Sequence, residues 1–428
     1  MSPHAPRVLV LGLNYPPEKP GISPYTGAMA RGMVGRGVET RALTAHPHYP
    51  EWEVSPGYGQ WRRDESLDGV RVTRLRHYIP TRPSGLRRAL SELTFGLRLA
   101  GERWGRPDAV AAVSPALIST AVALLRSRLT HRGTPFVVWV QDLYSLGLKE
   151  TGQSSGAMMR LMMALEGWVL RRATHVIVIH DRFALRVHED FGVPLAKIEV
   201  IRNWTHLAPA PAVDRDAARE KFGWRPDEKI VLHAGNMGVK QGLDNVVSAA
   251  RLSEEDNAGV RFVLLGNGSE RSTLQEQSAG LGAVTFMDSL SDDDFTAALQ
   301  AADALLVNEK PGVAEMAVPS KLTSYFSAGR PVLAATDAGG ITAEEVARAE
   351  AGVVVPAGDP RALLDAAREL TSDAARADAL GENARRFRDS VLTESKAIDA
   401  FEALLSRLID GDGPTIETDP HPVARSHA

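Results

Sequence analysis

The sequence predicts an α/β protein built from two doubly wound parallel sheets, and three observations carry this prediction. Short apolar runs alternate with stretches of helical periodicity in both halves of the chain. A Pro- and Ala-rich segment without apolar periodicity, THLAPAPAVD at residues 205–214, separates the halves and is the best linker candidate. The 428 residues also exceed what one hydrophobic core supports, so two or three domains are expected.

In the first half, each strand is predicted from a short apolar run and each helix from a longer amphipathic stretch. The strands are expected at residues 7–13, 39–44, 70–75, 109–113, 136–140, 176–179 and 198–201. The helices are expected at residues 25–37, 84–104, 117–128 and 157–173. The alternation predicts one parallel sheet in a first domain spanning residues 1–204.

In the second half, strands are expected at residues 230–233, 261–265, 284–287, 304–307, 331–334 and 352–355, with helices between them and at residues 363–370 and 374–388. This gives a second domain at residues 215–392. A helix within residues 393–410 is expected to pack back on the first domain, and the polar tail 411–428 is expected to be disordered. The run SDDD at residues 291–294 precedes an amphipathic helix, which favours an N-terminal cap over a metal site.

Composition narrows the classes of function. Hydrophobic residues make up 44% and charged residues 24%, as in soluble globular proteins. The formal net charge of −4 gives no general attraction for nucleic acid. The absence of Cys excludes disulfides, Cys-based metal sites and a Cys nucleophile. No segment reaches the roughly 18 apolar residues of a spanning helix, so a cytoplasmic location is expected.

The stretch IVLHAGNMGVKQG, at residues 230–242, is the most informative in the chain. An apolar strand ends at Gly235, turns through Asn236 and Gly238, and leads into a helical pattern near residue 243. Such a turn presents backbone N–H groups beside the positive end of a helix, and Lys240 adds a positive charge. The turn is therefore a candidate cradle for a diphosphate, with an ordinary βα turn as the alternative.

Other loops at predicted strand ends could share this role. LLGNGSE places Gly266 in a strand–turn–helix pattern, which could also be an ordinary tight turn. In PSKLTSYFSAGRP, Ser320 is placed as a helix N-cap followed by Lys321, which makes a second anion site. Two anion sites in one domain favour a diphosphate ligand.

The first half has three comparable loops. LNYPPEKPGISPY leaves the first strand through Gly21, whose missing side chain lets the backbone approach a ligand. AHPHYPEW, which contains His48 and Trp52, is either a packed turn or a place where a sugar acceptor stacks. VWVQDLY places Gln141 and Asp142 just after a strand, where catalytic polar groups or a helix cap are found. His180 and Asp181 are interpreted as a cap.

Together these motifs resemble the retaining glycosyltransferases of family 4, in particular the colanic-acid type of cell-surface polysaccharide transferase. The resemblance is carried, in order, by NYPPEKPGISPYTG, PHYPEW, GVRVTRL, VQDLY, KIEVIRNW, HAGNMGVKQGLD, LLGNGSER and VPSKLTSYFSAGRPVLA. It implies the GT-B fold, two Rossmann-like domains with a cleft between them. In such a family the second domain binds a nucleoside-diphosphate sugar, the first binds a hydroxyl acceptor, and no metal or other cofactor is required.

The resemblance also assigns roles to residues. Lys240 and the turn from Gly235 to Gly238 would contact the donor diphosphate. The remaining donor contacts would come from Gly21, Ile22, Gly266, Asp288, Leu290, Glu315, Ser320, Lys321, Leu322 and Ser324. Lys240, Gln141 and Asp142 are the catalytic candidates, and His48 and Trp52 the acceptor candidates. Substitution of Lys240 by alanine is expected to lower turnover by two or more orders of magnitude.

The chain departs from many relatives at three of these positions. Ser324 stands where many carry a second glutamate, Glu315 lies near the place of the first, and Asn236 stands where many carry an arginine. Two alternatives therefore stay open: a GT-B UDP-sugar 2-epimerase that needs no acceptor, and a binding subunit without catalysis.

Basic residues cluster in the first half, and they suit a lipid-linked acceptor at an anionic membrane surface. These clusters are Arg87, Arg88, Arg98 and Arg103; Arg126, Arg128, His131 and Arg132; and Arg160, Arg171 and Arg172. Solvated helix faces explain the same residues equally well.

Overall fold

The structure, a computed structural model, describes residues 5–19, 21–82, 84–143, 156–205, 213–313 and 320–411. The chain divides into two compact units. The first comprises Met1–Arg202 and Ala397–Ala428, and the second comprises Asn203–Lys396. No helix within the described ranges combines the length and the apolar character needed to cross a membrane.

The first unit is built on an eight-stranded sheet with the strand order β3-β4-β2-β1-β5-β6-β7-β8. Its strands are β1 (Arg7–Gly12), β2 (Glu39–Ala45), β3 (Arg62–Leu67), β4 (Val70–Leu75), β5 (Ala109–Ser114), β6 (Phe136–Val140), β7 (His175–Val178) and β8 (Ile198–Val200). Its helices include α1 (Ser23–Gly35), α2 (Gly85–Gly101), α3 (Leu117–Thr130), α4 (Gly156–Arg172) and α5 (Asp181–Phe191). Central strands such as β5 and β6 are buried along their whole length, which explains their continuous apolar sequences.

Strand β3 is absent from the sequence prediction, and it makes this sheet mixed rather than wholly parallel. It pairs antiparallel with β4, whereas the other strand pairs of the sheet are parallel. The strand is not predicted because its sequence, RRDESL, has almost no apolar residue. The hairpin turn is visible in retrospect: Asp68 (φ 50°) and Gly69 (φ 81°) form the left-handed pair that an Asp-Gly turn favours.

The second unit contains a six-stranded sheet with the order β11-β10-β9-β12-β13-β14, and all its strand pairs are parallel. Its strands are β9 (Lys229–Ala234), β10 (Val260–Leu265), β11 (Val284–Met287), β12 (Ala304–Asn308), β13 (Val332–Ala335) and β14 (Gly352–Val355). Its helices include α6 (Arg215–Lys221), α7 (Asp244–Glu255), α8 (Arg271–Gln277), α9 (Asp292–Ala301), α10 (Ser320–Ala328), α11 (Ile341–Arg348), α12 (Pro360–Ser372) and α13 (Ala374–Val391).

Both faces of this second sheet are covered by hydrophobic core. Ile230 and Leu232 of β9 belong to one cluster of buried side chains, and Val231 between them belongs to another. Successive side chains of a strand point to opposite faces, so the strands of a doubly wound sheet are apolar at most positions. The order of the strands reverses at β9 and β12, and the carboxyl ends of these two strands are where such sheets bind ligands.

The chain crosses from one unit to the other after Arg202 and again after Lys396. The second unit begins at Asn203, and Thr205 N–H donates to the Leu392 carbonyl oxygen at 3.3 Å. Residues 206–212 of the predicted linker and residues 412–428 of the tail lie outside the described residues. The last helix, α14 (Glu394–Asp410), supplies the first unit with Ile398 and Phe401. The Ile398 side chain contacts Gly32, and the Phe401 ring lies edge-on to the ring of Trp139.

Two polar runs form helix caps, as the sequence predicts. The Ser291 side chain accepts a hydrogen bond from the Asp294 N–H at 3.3 Å at the start of α9, so SDDD is an N-terminal cap. At the start of α5, the His180 Nδ1 atom accepts from the Arg182 N–H at 3.1 Å.

Candidate functional site

The turn after β9 begins at a glycine that no other residue can easily replace. Gly235 has φ 136°, and its N–H donates to the Leu265 carbonyl oxygen at 2.9 Å. The chain then passes the exposed Asn236 and forms a 3₁₀ turn at Val239–Gln241 before α7 begins. The Gly238 N–H donates to Gln241 Oε1 at 3.0 Å, so this N–H is engaged inside the turn. Lys240 is partly exposed on the turn.

Asn308, at the end of β12, holds this turn in place. Its Nδ2 atom donates to the carbonyl oxygens of Gln241 and Gly242 at 2.7 and 2.9 Å, and its Oδ1 atom accepts from Asn245 at 2.9 Å. The Lys310 N–H donates to the Lys240 carbonyl oxygen at 2.9 Å. The backbone that carries Lys240 is therefore fixed by the neighbouring strand. Asn308 is not among the residues predicted from the sequence, although a polar residue ending the apolar run ALLVN is a recognisable signal.

Helix α10 brings Lys321 to the same turn. A Cβ atom placed on Gly235 would lie 3.7 Å from the Lys321 Nζ atom. Tyr325, one helical turn further on, accepts from the Ala234 N–H at 2.8 Å and donates to the Leu306 carbonyl oxygen at 3.2 Å. Residues four apart lie on one face of a helix, so the buried tyrosine anchors the face that carries the lysine. Sequence analysis did not identify Tyr325.

The environment of Lys321 is poorly solvated. Burial lowers the pKa of the Lys321 ammonium group to about 8, and the nearby Glu309 carboxylate opposes this shift. Glu309 accepts hydrogen bonds from the hydroxyls of Thr336 and Thr342, the latter at 2.6 Å. Burial also lowers the pKa of His233 well below its usual value, and the charge of Lys321 lowers it further. His233 is therefore neutral near pH 7, and Lys321 carries the positive charge at this point.

Gly266 and Gly268, in the loop after β10, allow two backbones to touch. A Cβ atom on Gly266 would collide with the Gly235 carbonyl oxygen, and one on Gly268 would collide with the Met237 carbonyl. The Met237 N–H donates to the Asn267 carbonyl oxygen at 2.8 Å. These contacts explain the GxG pattern by packing of the two loops, and a direct role of Gly266 in ligand binding stays a prediction.

The remaining predicted donor contacts of the second unit differ in accessibility. Asp288 is 87% exposed at its side chain and pairs with Arg271 at 2.6 Å, while Leu290 packs against the core. The Leu322 side chain is 1% exposed, so only its backbone is available to a ligand. Ser324 is partly exposed. Glu315 lies outside the described residues, as does the side chain of Ser320.

In the first unit, the predicted residues follow the carboxyl ends of β1, β2 and β6. Gly21 has φ 71°, and the Ile22 carbonyl oxygen accepts from the Thr26 N–H at 3.0 Å at the start of α1. Gln141 is buried and Asp142 partly exposed immediately after β6. The carboxyl ends of parallel strands lie at one edge of a sheet, so these residues share that edge. Their roles toward donor and acceptor stay predictions.

His48 and Trp52 lie in a loop that a buried carboxylate organises. Glu18 accepts from the backbone N–H groups of His48 and Tyr49 at 2.8 and 2.9 Å. The His48 side chain is 2% exposed and its ring lies edge-on to Trp52 and to His77, which is the geometry of a packed turn. Trp52 is partly exposed, so it is the residue of this pair that a ligand can reach. Sequence analysis missed Glu18.

Titration at this loop is shifted by burial. Burial lowers the pKa of His77 to about 3, and the neighbouring His48 and His46 act in the same direction. The His46 Nε2 atom lies 2.8 Å from the Gln60 carbonyl oxygen. Among the described residues, no three His, Asp or Glu side chains are grouped in a way that could hold a metal ion.

Comparison with known proteins assigns each half to a family. Residues 20–204 match the family described as "Glycosyl transferase 4-like domain", and residues 214–387 match "Glycosyl transferases group 1". The chain is 33% identical over 339 residues to the putative colanic acid biosynthesis glycosyl transferase WcaI of Escherichia coli K12. That match covers 76% of this chain and 81% of WcaI.

One further relative and one solved structure each cover nearly the whole chain. The GDP-mannose-dependent α-(1-6)-phosphatidylinositol monomannoside mannosyltransferase of Mycobacterium tuberculosis is 26% identical, over 95% of this chain and 98% of its own. The crystal structure of HepE from Anabaena in complex with UDP superposes with a TM-score of 0.68. That superposition covers 94% of this chain and 99% of HepE at 16% identity, which shows likeness of fold.

Proposed function

Because this chain belongs to the glycosyltransferases that join a 4-like domain to a group 1 domain in the GT-B fold, we propose that its donor is a nucleoside-diphosphate sugar. The observation that carries this proposal is the placement of Lys321 beside the Gly235 turn. A partly buried ammonium group next to a glycine turn at a strand end is suited to a diphosphate, which offsets the cost of desolvating the charge. Lys240, on the same turn, adds a second positive charge.

The proposed reaction transfers the sugar with retention and without a metal. The acceptor oxygen forms a bond to the anomeric carbon on the face from which the diphosphate departs. The bond between that carbon and the phosphate oxygen breaks, and the proton of the acceptor hydroxyl passes to a phosphate oxygen. Lys321, Lys240 and backbone N–H groups stabilise the charge that grows on the leaving group. No paired nucleophile and base carboxylates are needed in this scheme.

The names of the relatives support a donor of this class without selecting the base. The mycobacterial relative is GDP-mannose-dependent, and HepE was crystallised with UDP. In a thermal-shift panel of GDP-, UDP- and dTDP-sugars, the sugars of one base should therefore raise the melting temperature of the protein more than the others.

Retention and metal independence are tested separately, by NMR of the product anomers and by activity in EDTA. Inversion of the anomeric centre would contradict retention, and loss of activity in EDTA would contradict metal independence.

Lys240 tests the catalytic part of the proposal. Replacement of Lys240 by alanine removes a charge that acts on the leaving diphosphate, so kcat should fall by two or more orders of magnitude. The substitution Lys229→Ala is the matched control, because it removes a lysine from the opposite end of β9. Near-normal turnover of the Lys240 variant at saturating donor would remove this role.

An enzyme that rearranges its donor would show a different pattern. Incubation of the preferred donor without acceptor separates a transferase from a 2-epimerase, since only the epimerase produces a new nucleotide sugar. Donor binding without transfer across a panel of acceptors would favour the non-catalytic subunit. Membership of a transferase family and the WcaI relative favour transfer.

We infer further that the first unit binds an anionic membrane, where a lipid-linked acceptor would be found. Helix α2 exposes one stripe of apolar side chains, Leu86, Leu90, Leu93 and Leu97. Their spacing of four, three and four residues places them along one side of the helix. Arg87 and Arg88 are exposed beside them, and Trp61 lies under Arg98 with 67% of its surface exposed. Apolar and basic side chains in this combination suit the interface of an anionic bilayer.

Sedimentation with phosphatidylglycerol vesicles tests this inference. The double substitution Leu90→Ser and Leu97→Ser should reduce the bound fraction at least fivefold, because it removes apolar area from the stripe. The matched control is Leu185→Ser, which changes an exposed leucine on α5. Absence of vesicle binding by the unaltered protein at low salt would refute the inference.

A further inference from the structure

A cavity of about 760 Å³ lies in the first unit, away from the loops that carry Gly21 and Trp52. Arg7 opens β1, Glu39 opens β2 and Arg71 stands near the start of β4, and all three line the cavity. Gly21 and Trp52 follow the carboxyl ends of β1 and β2 instead. Since the proposed glycosyl transfer uses the carboxyl ends of the strands, the cavity is a separate feature.

Six arginines line this space, which we call the arginine cavity: Arg7, Arg41, Arg62, Arg71, Arg103 and Arg106. Arg41, in β2, is tied to its neighbours by two side-chain hydrogen bonds. Its Nη1 atom donates to the Arg103 carbonyl oxygen at 2.7 Å, and its Nη2 atom donates to Thr73 Oγ1 at 3.2 Å. Thr73 donates in turn to Asp64 at 2.8 Å. The guanidinium group is thus held at a fixed position, and the backbone of Arg103 is held with it.

The carboxylates around the cavity do not balance its arginines. The ion pairs are Arg7 with Asp108, Arg41 with Glu102, Arg62 with Asp64 and Glu102, and Arg71 with Glu39. Glu65 also lines the cavity, but it is engaged by Arg63 and Arg74. Six arginines against the four carboxylates of these pairs leave a charge of +2. Arg103 and Arg106 have no carboxylate partner within the part of the chain that the structure describes.

The arginine cavity has the chemistry of an anion site. Guanidinium groups match the oxygens of a phosphate group with pairs of parallel hydrogen bonds. Burial lowers the pKa of Arg41, which means that its charge is incompletely solvated and that an anion beside it would be stabilised. Arg7 and Arg41 are partly buried, and the four exposed arginines line the same recess, so an ion bound there would contact guanidinium groups that differ in solvation.

We propose that the arginine cavity is a second binding site, independent of the donor site, for a ligand that carries phosphate groups. Arg41 is the least exposed of its arginines, and Arg103 and Arg106 supply the charge that the protein leaves unbalanced. Both soluble phosphates and the headgroups of anionic lipids offer this chemistry. A lipid would reach the cavity from α2, because Arg103 follows the end of that helix and Arg62 follows Trp61.

Calorimetric titration with inorganic pyrophosphate tests the proposal, since this ion can enter both the arginine cavity and the proposed donor site. The unaltered protein should bind two pyrophosphate ions. The double variant Arg103→Gln, Arg106→Gln should bind one ion, at the donor site. The variant Lys321→Met should also bind one ion, at the arginine cavity. Arg103 and Arg106 are exposed, so their substitution should leave the melting temperature unchanged. The matched control is Arg368→Gln with Arg386→Gln, which removes two exposed arginines from the second unit.

The outcomes separate this proposal from the proposed function. Pyrophosphate binding that is lost in Lys321→Met and intact in the arginine double variant would overturn the arginine cavity and leave the donor site standing. Loss in the arginine double variant alone would support the cavity and count against the donor site. Equal loss in the control double variant would mean that general charge, and not the cavity, binds the ion.

Vesicles identify the source of the phosphate. If the ligand is a lipid headgroup, the arginine double variant should sediment with phosphatidylglycerol vesicles at least fivefold less than the unaltered protein, and pyrophosphate should compete. If the ligand is a soluble phosphate, sedimentation should be the same for both proteins. Unchanged sedimentation together with unchanged pyrophosphate stoichiometry would overturn the proposal.

Discussion

The proposed donor site depends on Lys321, whose side chain is charged and partly buried. Its ammonium group lies beside the Gly235 turn, and burial lowers its pKa to about 8. A bound diphosphate would favour the protonated form and raise that pKa again. Donor affinity should therefore depend on pH between about 7 and 9. The phosphates themselves no longer titrate in this range, because their last pKa is near 6.

The sign of this dependence follows from the lowered pKa. Below about pH 8 the free protein already carries the charge, and above it binding must first take up a proton. The affinity for GDP or UDP, whichever binds, should fall about tenfold between pH 7 and pH 9. The measurement is a series of calorimetric titrations across this range.

The variant Lys321→Arg is the control for this pH series, since arginine keeps its charge over the whole range. Its affinity should stay nearly constant from pH 7 to pH 9. The same decline in both proteins would show that another group causes it.

At the scale of elements, the end of β12 and the face of α10 shape the loop that β9 begins. Asn308 binds two carbonyl oxygens of the turn, and Tyr325 bridges Ala234 and Leu306 where β9 and β12 separate. Each bond satisfies a backbone group, either in the turn after β9 or at the carboxyl ends of β9 and β12. The proposed diphosphate site therefore rests on contacts made by residues that would not touch the ligand.

Substitution of Asn308 by alanine tests this dependence. Two carbonyl oxygens of the turn would lose their donor, so we expect a loss of about 2–3 kcal/mol in the free energy of unfolding and at least tenfold weaker nucleotide binding. Denaturant titration and calorimetry measure the two effects.

The control for Asn308 is Asn383→Ala, which also removes an asparagine donor to a backbone carbonyl, that of Glu350 at 2.9 Å, in an exposed position. It should change stability by less than about 1 kcal/mol and leave nucleotide binding intact. Weak nucleotide binding in both variants, or in neither, would contradict the role of Asn308.

These elements also show what sequence can predict here and what it cannot. The Gly235 turn and Lys321 are visible because glycine, lysine and a helix start follow one another locally. Asn308 and Tyr325 act on backbone atoms far away in sequence, so no local pattern marks them. Strand β3 was missed because its charged sequence hides an edge strand that pairs through a hairpin.

At the scale of the whole molecule, the sequence predicts two α/β units, and the structure and the relatives agree on that architecture. The chain enters the second unit at Asn203 and leaves it at Lys396, so α14 joins the first unit. The pattern of apolar runs suffices for this result, because parallel strands covered on both faces are mostly apolar along their length. The donor base and the acceptor depend on side chains that carry no such pattern.

The central claim about the donor site is that a diphosphate binds at Lys321. We would measure the dissociation constants of GDP and UDP, and of the matching monophosphates, by calorimetry on the unaltered protein and on Lys321→Met. One diphosphate should bind at least tenfold more tightly than its monophosphate, and the variant should lose that difference. Equal affinities of the unaltered protein for the diphosphate and its monophosphate would contradict the proposal. So would an undiminished preference for the diphosphate in Lys321→Met.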